Sequence, residues 1–184
     1  MSSKKKLKPM PNASFKCMMW IYKLTDLIWS PRRRLKKIPV KVGMVVVDYG
    51  CGPGRYTLPL AELVGPEGKV FAVDIQPLAI KTVKEKAARK SLTNIEAILV
   101  DSYNTGIQGS SADLVILVDT LHAIKDYDAL FAEIHQLLKR GGLLFMDPGH
   151  MKTSKAIEII ESTGLFTMAE CQDKDMLLAP KAKR

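Results

Sequence analysis

Cysteine is scarce in this chain. Cys17, Cys51 and Cys171 stand far apart, with no C-x-x-C and no paired spacing. A disulfide framework is therefore not expected, and a reducing, cytoplasmic setting is. Histidine is equally sparse (His122, His135 and His150), and no His/Cys cluster has metal-ligand spacing, so no metal is expected. Long apolar runs are missing as well. The best of them, Cys17–Trp29, is interrupted by Lys23 and Asp26 and falls short of the ~20 residues a bilayer-spanning helix needs. No uninterrupted apolar core with a small-residue cleavage site marks a signal peptide. Acidic residues are missing from one end: residues 1–41 hold twelve Lys/Arg and a single acid, Asp26, a net +11. The other 143 residues hold sixteen Lys/Arg and eighteen acids, a net −2. The whole-chain charge of +9 thus belongs to the N-terminal segment and does not make the rest of the chain a nucleic-acid binder.

What is present is one domain's worth of chain, 184 residues with 47% hydrophobic content, enough to bury a real core. Residues 1–12 read as a disordered basic tail. Residues 13–40 read as an amphipathic, basic helical segment. In it, Cys17, Trp20, Ile21, Leu24, Leu27 and Ile28 fall at three- and four-residue steps, and a helix is expected over 14–30 with that stripe as its apolar face. Pro31 and a run of Arg32, Arg33, Arg34, Lys36 and Lys37 follow. Residues 41–184 read as an α/β domain. Strands are expected at 44–48, 69–74, 95–100, 113–118 and 143–147. Helices are expected at 56–64, 77–90, 126–139 and 153–162, the third stopped by Gly141-Gly142 and the last by Gly164. An antiparallel hairpin, 165–171 and 175–180, closes the chain. Apolar strands alternating with helices imply a doubly wound, mostly parallel sheet covered on both faces.

The chain is organised around residues 44–57, where an apolar strand runs into Asp48 and a turn with Gly50, Gly52 and Gly54. Strand, glycine turn and helix start is how such folds hold a nucleotide. A dinucleotide fingerprint requires G-x-G-x-x-G. Here the sixth position is Arg55, which argues against a dinucleotide oxidoreductase. Asp74 ends the second strand, placed to accept from both hydroxyls of a ribose. Asp101-Ser102 ends the third, placed to meet a base.

Together, Val-Val-Asp-Tyr-Gly-Cys-Gly-Pro-Gly, Val-Phe-Ala-Val-Asp, Val-Asp-Ser, Ala-Asp-Leu-Val-Ile-Leu-Val and Leu-Lys-Arg-Gly-Gly-Leu-Leu resemble a class I S-adenosylmethionine-dependent methyltransferase of the ubiquinone/menaquinone-biosynthesis type. The resemblance covers roughly residues 40–180. It implies a Rossmann-like seven-stranded sheet, last strand antiparallel, with S-adenosylmethionine over the first strand ends. It implies that the Gly50, Gly52 and Gly54 turn, with Tyr49 and Cys51, lies against the methionyl part, and that Asp48 orients the turn and reaches the ammonium through water; for Arg55 two readings stand, a contact with the cofactor carboxylate or a surface helix residue. It further implies Asp74 on the ribose, Ile75 on the adenine, Asp101 and Ser102 at the adenine edge, and Asp119 near the methionine end and the acceptor. His122, His150, Asp147 and Tyr103 are the candidate bases. The link Pro148–Lys152 is too short for a lid, leaving the acceptor side open or covered by the N-terminal segment. For that segment three readings stand: a lid, a membrane-surface helix, or a basic patch on RNA. The implied activity is methyl transfer to a small or lipophilic acceptor, with RNA or protein substrates, or a silent binder of the cofactor, as alternatives.

Overall fold

The structure, a computed structural model, describes residues 6–26 and 31–182. Its centre is a seven-stranded sheet. The parallel strands are β1 (Val45–Tyr49), β2 (Lys69–Asp74), β3 (Ile95–Leu99), β4 (Ala112–Val118) and β5 (Leu138–Asp147). The terminal hairpin of β6 (Phe166–Gln172) and β7 (Asp175–Pro180) completes it. The spatial order is β3-β2-β1-β4-β5-β7-β6. β7 lies antiparallel between β5 and β6. The doubly wound sheet expected from the strand–helix alternation is therefore present. Its order reverses between β1 and β4, and such a switch point opens a crevice at the carboxyl ends of the strands.

Side-chain alternation assigns each face its cover. Val47, Tyr49, Val115 and Leu117 point to one side, where α5 (Tyr127–Leu137) and α6 (Thr153–Thr163) contribute Leu130, Phe131, Ile134, Ile159 and Ile160. Val46, Val70, Leu114, Ile116 and Phe145 point to the other, onto Leu60, Ala61 and Val64 of α3 (Thr57–Val64). α4 (Pro77–Arg89) covers the same side through Ile80 and Val83 against Ala72. Its proline sits in the first turn, where no intrahelical N–H is lost. Gly164 ends α6 in the left-handed conformation at φ 66°, a backbone without steric cost only for glycine.

Two sequence expectations change. The helix expected over 126–139 ends at Leu137, and β5 begins at Leu138, so Gly141-Gly142 lies within a strand. Leu138 pairs with Ala112, and the register shifts between Ala112 and Leu114. A Cβ on Gly142 would stand 2.9 Å from the Ala112 carbonyl oxygen. Gly142 thus lets two strands approach at a bulge, and Gly141 supplies a positive φ of 82° beside it; the pair does not stop a helix.

The second change concerns the N-terminal segment. α1 runs Asn12–Thr25, and Leu27 and Ile28 of the expected stripe lie outside the described residues. The apolar stripe faces away from the molecule: Cys17 is exposed, as are Trp20, Ile21 and Leu24. The buried anchor of α1 is Phe15. Residues 6–11, expected within a disordered tail, run along the sheet's carboxyl edge, where the Leu7 N–H donates to the Asp101 carbonyl at 2.8 Å and the Gln76 side-chain amide to the Met10 carbonyl at 2.7 Å. The short helix α2 (Pro31–Leu35) buries Leu35 in the α3-side core, joined there by Ile38.

Candidate functional site

The crevice at the carboxyl ends of β1, β2 and β4 collects most of the residues singled out in the sequence. β1 delivers the chain into a turn in which Gly50, Gly52 and Gly54 have φ of 79°, 50° and 79°, values that disfavour any side chain. The three glycines differ in what surrounds them. A Cβ on Gly50 would meet Thr120 Oγ1 at 2.5 Å, and one on Gly54 would meet Leu58 Cδ1 at 2.6 Å. One on Gly52 would meet nothing within 4 Å. Gly50 and Gly54 therefore serve packing, and Gly52 leaves open space above the turn.

Asp74 ties that turn to β2. Its Oδ2 accepts the Gly52 N–H at 2.8 Å and its Oδ1 the Gln76 N–H at 2.8 Å. The Ile75 N–H acts on the same carboxylate, whose about four acceptor positions still leave room for a hydroxyl donor such as a ribose offers. Burial pushes the Asp74 carboxyl up, and the backbone N–H donors oppose this. The crevice thus combines an uncrowded turn with an anchored carboxylate that has acceptor capacity left. Ile75 is half-buried beside it. Asp101 is exposed at the end of β3, with Lys6 Nζ at 3.5 Å, and Ser102 follows it. A shallow cleft lined by Met10, Gln76, Pro77, Leu78 and Lys81 adjoins this edge.

Several expected contacts are placed differently. Asp48 is buried and accepts from the Thr57 hydroxyl at 2.5 Å. It therefore fastens the start of α3 and does not face the crevice. Burial pushes its carboxyl up to about 7, the Thr57 bond opposing and the Asp74 charge adding. The Tyr49 hydroxyl donates to the Tyr103 carbonyl at 2.8 Å, and Cys51 packs with Ala72, Ile80 and Val83. Both side chains belong to the core, and at Cys51 the backbone N–H shapes the turn by donating to Val73 at 3.0 Å. Arg55 is ion-paired to Asp26 and lies over the Tyr22 ring, 4.9 Å to the centroid, so it ties α1 to the turn.

A second cluster, on the side that the sequence reading assigns to the acceptor, is built at the end of β4. Asp119 has φ 52°, a left-handed backbone uncommon outside glycine and concentrated at functional sites. Its Oδ2 accepts from the Tyr22 hydroxyl of α1 at 3.0 Å, and its Oδ1 lies 3.6 Å from His122 Nδ1. That second distance is longer than a hydrogen bond and suits an ion pair once the ring is protonated. The His150 ring meets His122 edge-on, with centroids 5.3 Å apart. Gly149 has no room for a side chain, because a Cβ there would stand 2.1 Å from Asp119 Oδ1. Thr120, packed on Gly50, joins this cluster to the glycine turn. Burial and the Asp119 charge push the Tyr22 phenol up, so it acts as a hydrogen-bond donor.

Asp147 and Tyr103, read from the sequence as candidate bases, have other partners. Asp147 pairs through Oδ2 with Arg34 at 2.7 Å and through Oδ1 with the Gly149 N–H at 2.8 Å. Arg34 also reaches Asp175 at 3.1 Å and the Tyr56 hydroxyl at 3.3 Å. This network docks α2 on β5 and β7, and it gives the Asp147 carboxylate a cation partner. The Tyr103 hydroxyl accepts the Lys125 and Asp126 N–H groups at 3.3 and 3.1 Å and fixes a loop. Thr120 and Gln76 carried no sequence signal, and nothing in the sequence paired Arg34 with Asp147 or Tyr22 with Asp119. Tyr22 and Asp119 are 97 residues apart, and neither lies in a motif that names the other.

Comparison with known proteins bears on this site. A family described as "Methyltransferase domain" matches residues 40–179. The chain is 30% identical over 129 residues to a demethylmenaquinone methyltransferase of Geobacillus stearothermophilus, an alignment covering 66% of this chain and 55% of that protein. It is also 30% identical over 117 residues to one of Staphylococcus aureus, covering 64% and 47%. The chain thus spans about half the length of these relatives. Among solved structures, a SAM-dependent methyltransferase of Aquifex aeolicus superimposes with TM-score 0.74 at 22% identity, covering 80% of this chain and 88% of that one. A putative S-adenosyl-L-methionine-dependent methyltransferase of Methanococcus maripaludis does so with TM-score 0.78 at 17% identity, covering 100% and 98%. These two share the fold.

Proposed function

The chain belongs to the methyltransferase-domain family, and from that premise we propose that it transfers a methyl group from S-adenosylmethionine to a small, lipophilic acceptor. The observation that carries the cofactor reading is the pairing of Gly52 with Asp74: an uncrowded turn whose N–H is held by a carboxylate that retains acceptor positions. When bound, the cofactor supplies a methyl group already activated by a positively charged sulfur. The protein's task is then alignment, which alone supplies several kcal/mol of such a barrier. Asp74 holds the ribose, Ile75 and the Asp101-Ser102 edge flank the base, and the Gly50–Gly54 turn admits the methionyl part.

The acceptor approaches over Asp119, His122 and His150. With Nδ1 turned toward Asp119, Nε2 of His122 is the ring nitrogen left to receive a proton from the acceptor. Asp119 then stabilises the imidazolium. Tyr22 covers the cluster from α1 and substitutes for a lid after β5. Two observations favour a lipophilic acceptor over RNA. The relatives that match are demethylmenaquinone methyltransferases by name. Much of the basic run is also paired within the molecule: Arg32 with Glu62, Arg34 with Asp147 and Asp175, and Lys37 with Asp175.

A thermal-shift titration tests the cofactor. Saturating S-adenosylmethionine or S-adenosylhomocysteine, at about a hundred times Kd, contributes about 2.7 kcal/mol to the native state. That raises Tm by about 5–10 °C for a chain of this size, while NAD does not. Asp74→Asn abolishes the response. An unchanged Tm with both sulfur nucleosides refutes the reading.

A further inference from the structure

α1 turns its apolar face the wrong way for a helix that merely covers the site. At 100° per residue, Phe15, Met18, Met19 and Tyr22 share one side, and these are its buried or half-buried residues. The opposite side carries Ala13, Cys17, Trp20 and Leu24, with Ile21 at its margin. Trp20, Ile21 and Leu24 are 66%, 54% and 63% exposed. Isolated exposed apolar residues need no explanation, but a contiguous stripe on one helix does. Lys16 and Lys23 flank the stripe together on one edge, and Lys23 Nζ lies 5.4 Å from the centre of the Trp20 ring.

Charge decides what fits. Residues 1–25 contain six lysines and no acid, and Asp26, the first acid in the chain, is engaged by Arg55. A second copy of α1 would bring two lysine-bearing helices together with no acid in residues 1–25 of either to offset them. RNA would meet Trp and Leu at the centre of the surface, where phosphates need cations. An anionic bilayer meets both requirements, since its acyl region accepts the apolar stripe and its headgroups accept the lysines.

We propose that the outward face of α1 is a docking surface for an anionic lipid membrane, with Trp20, Ile21 and Leu24 inserted at the interface and Lys16 and Lys23 on the headgroups. The surface stands independently of methyl transfer. Its consequence for catalysis rests on the proposed function: the inner face of the same helix places Tyr22 on Asp119, so a docked membrane lies over the acceptor side, where a lipophilic acceptor would arrive.

Co-sedimentation of the full chain with vesicles of phosphatidylcholine alone, or of phosphatidylcholine with phosphatidylglycerol, tests this. The expected result is binding to the anionic vesicles that weakens with salt. In a Trp29→Phe background, where Trp20 is the remaining tryptophan, its emission shifts to the blue on binding. Trp20→Ser/Leu24→Ser, which alters outward-facing positions only, lowers partition by about a hundredfold. Lys16→Glu/Lys23→Glu lowers it by about thirtyfold or more. Retention of the unbound melting temperature in each variant separates lost docking from lost folding. The proposal is overturned by no binding to either vesicle, by equal binding to both, or by unchanged partition of the serine variant. It is also overturned by a doubling of mass in solution that the serine variant abolishes, which names a second copy as the occupant. Binding to single-stranded RNA that the serine variant keeps, with no vesicle binding, names RNA instead.

Discussion

Alanine at Gly50 and at Gly52 separates folding from binding within one turn. Both positions have positive φ, and an alanine Cβ there costs about 1–2 kcal/mol. At Gly50 the added carbon also stands 2.5 Å from Thr120 Oγ1 and 2.6 Å from Thr120 Cγ2. Forcing those atoms apart costs a further ~1–3 kcal/mol of overpacking, so Gly50→Ala should lose about 2–5 kcal/mol of stability. At Gly52 nothing lies within 4 Å, so only the backbone cost applies. The carbon instead enters the volume assigned to the cofactor, and we expect Kd for S-adenosylhomocysteine to rise at least tenfold, about 1.4 kcal/mol. Urea denaturation measures the first quantity and calorimetric titration the second. Thr120→Ala in the Gly50→Ala background should restore about 1–3 kcal/mol as a coupling energy, since it removes both clashing atoms. If Gly52→Ala binds the nucleoside as the wild type does, the turn does not line the cofactor and the site must be placed elsewhere. If Gly50→Ala is no less stable than Gly52→Ala, the Thr120 contact does not constrain the turn.

Asp48 makes stability depend on pH. Its folded value of about 7 lies above the ordinary 3.8, so the folded state keeps a proton that the unfolded chain has lost. Stability therefore falls as pH rises from about 4 to about 7, by up to about 4 kcal/mol, and is level above that. Asp48→Asn keeps an acceptor for Thr57 and should remove most of this slope in urea denaturation at pH 5 and pH 8; a slope that persists belongs to another group. Arg34→Met leaves Asp147, its side chain 7% exposed, without a cation, and leaves Asp175 with Lys37 alone. It should cost about 3 kcal/mol, against no more than about 1 kcal/mol for Arg32→Met in the exposed pair with Glu62. His122→Gln should lower kcat toward a demethylmenaquinone-type acceptor by about 10²-fold or more, with cofactor Kd unchanged; full turnover in this variant would remove the histidine from proton transfer.

The N-terminal segment shows where reading from sequence stops. The period of its apolar residues identified a helix and its stripe, and the charge count isolated its basicity. Neither states which way the stripe points. That is set by Phe15 entering the protein, by Tyr22 reaching Asp119 and by Asp26 meeting Arg55. Likewise, Gly141-Gly142 has the same local meaning after a helix or inside a bulged strand, and the pairing of Leu138 with Ala112 chose the strand.

What the sequence determined by itself is whatever is written in short-range pattern. Strand–helix alternation gave the sheet its class. The spacing of Gly50, Gly52, Gly54, Asp74 and Asp101 located the crevice, because strand ends on one edge of a parallel sheet are neighbours whatever lies between them. The tertiary structure decided which of those residues face the crevice. Asp48 and Tyr49 share the motif but turn into the core, since successive side chains of a strand alternate between buried faces, and Cys51, past the strand end, packs against Ile80 and Val83 of α4. Asp147 was drawn from the acceptor side by Arg34, more than a hundred positions earlier in the chain. Tyr22 was drawn onto Asp119 across a similar separation. Contacts of that range depend on how finished elements pack, and no local pattern encodes them.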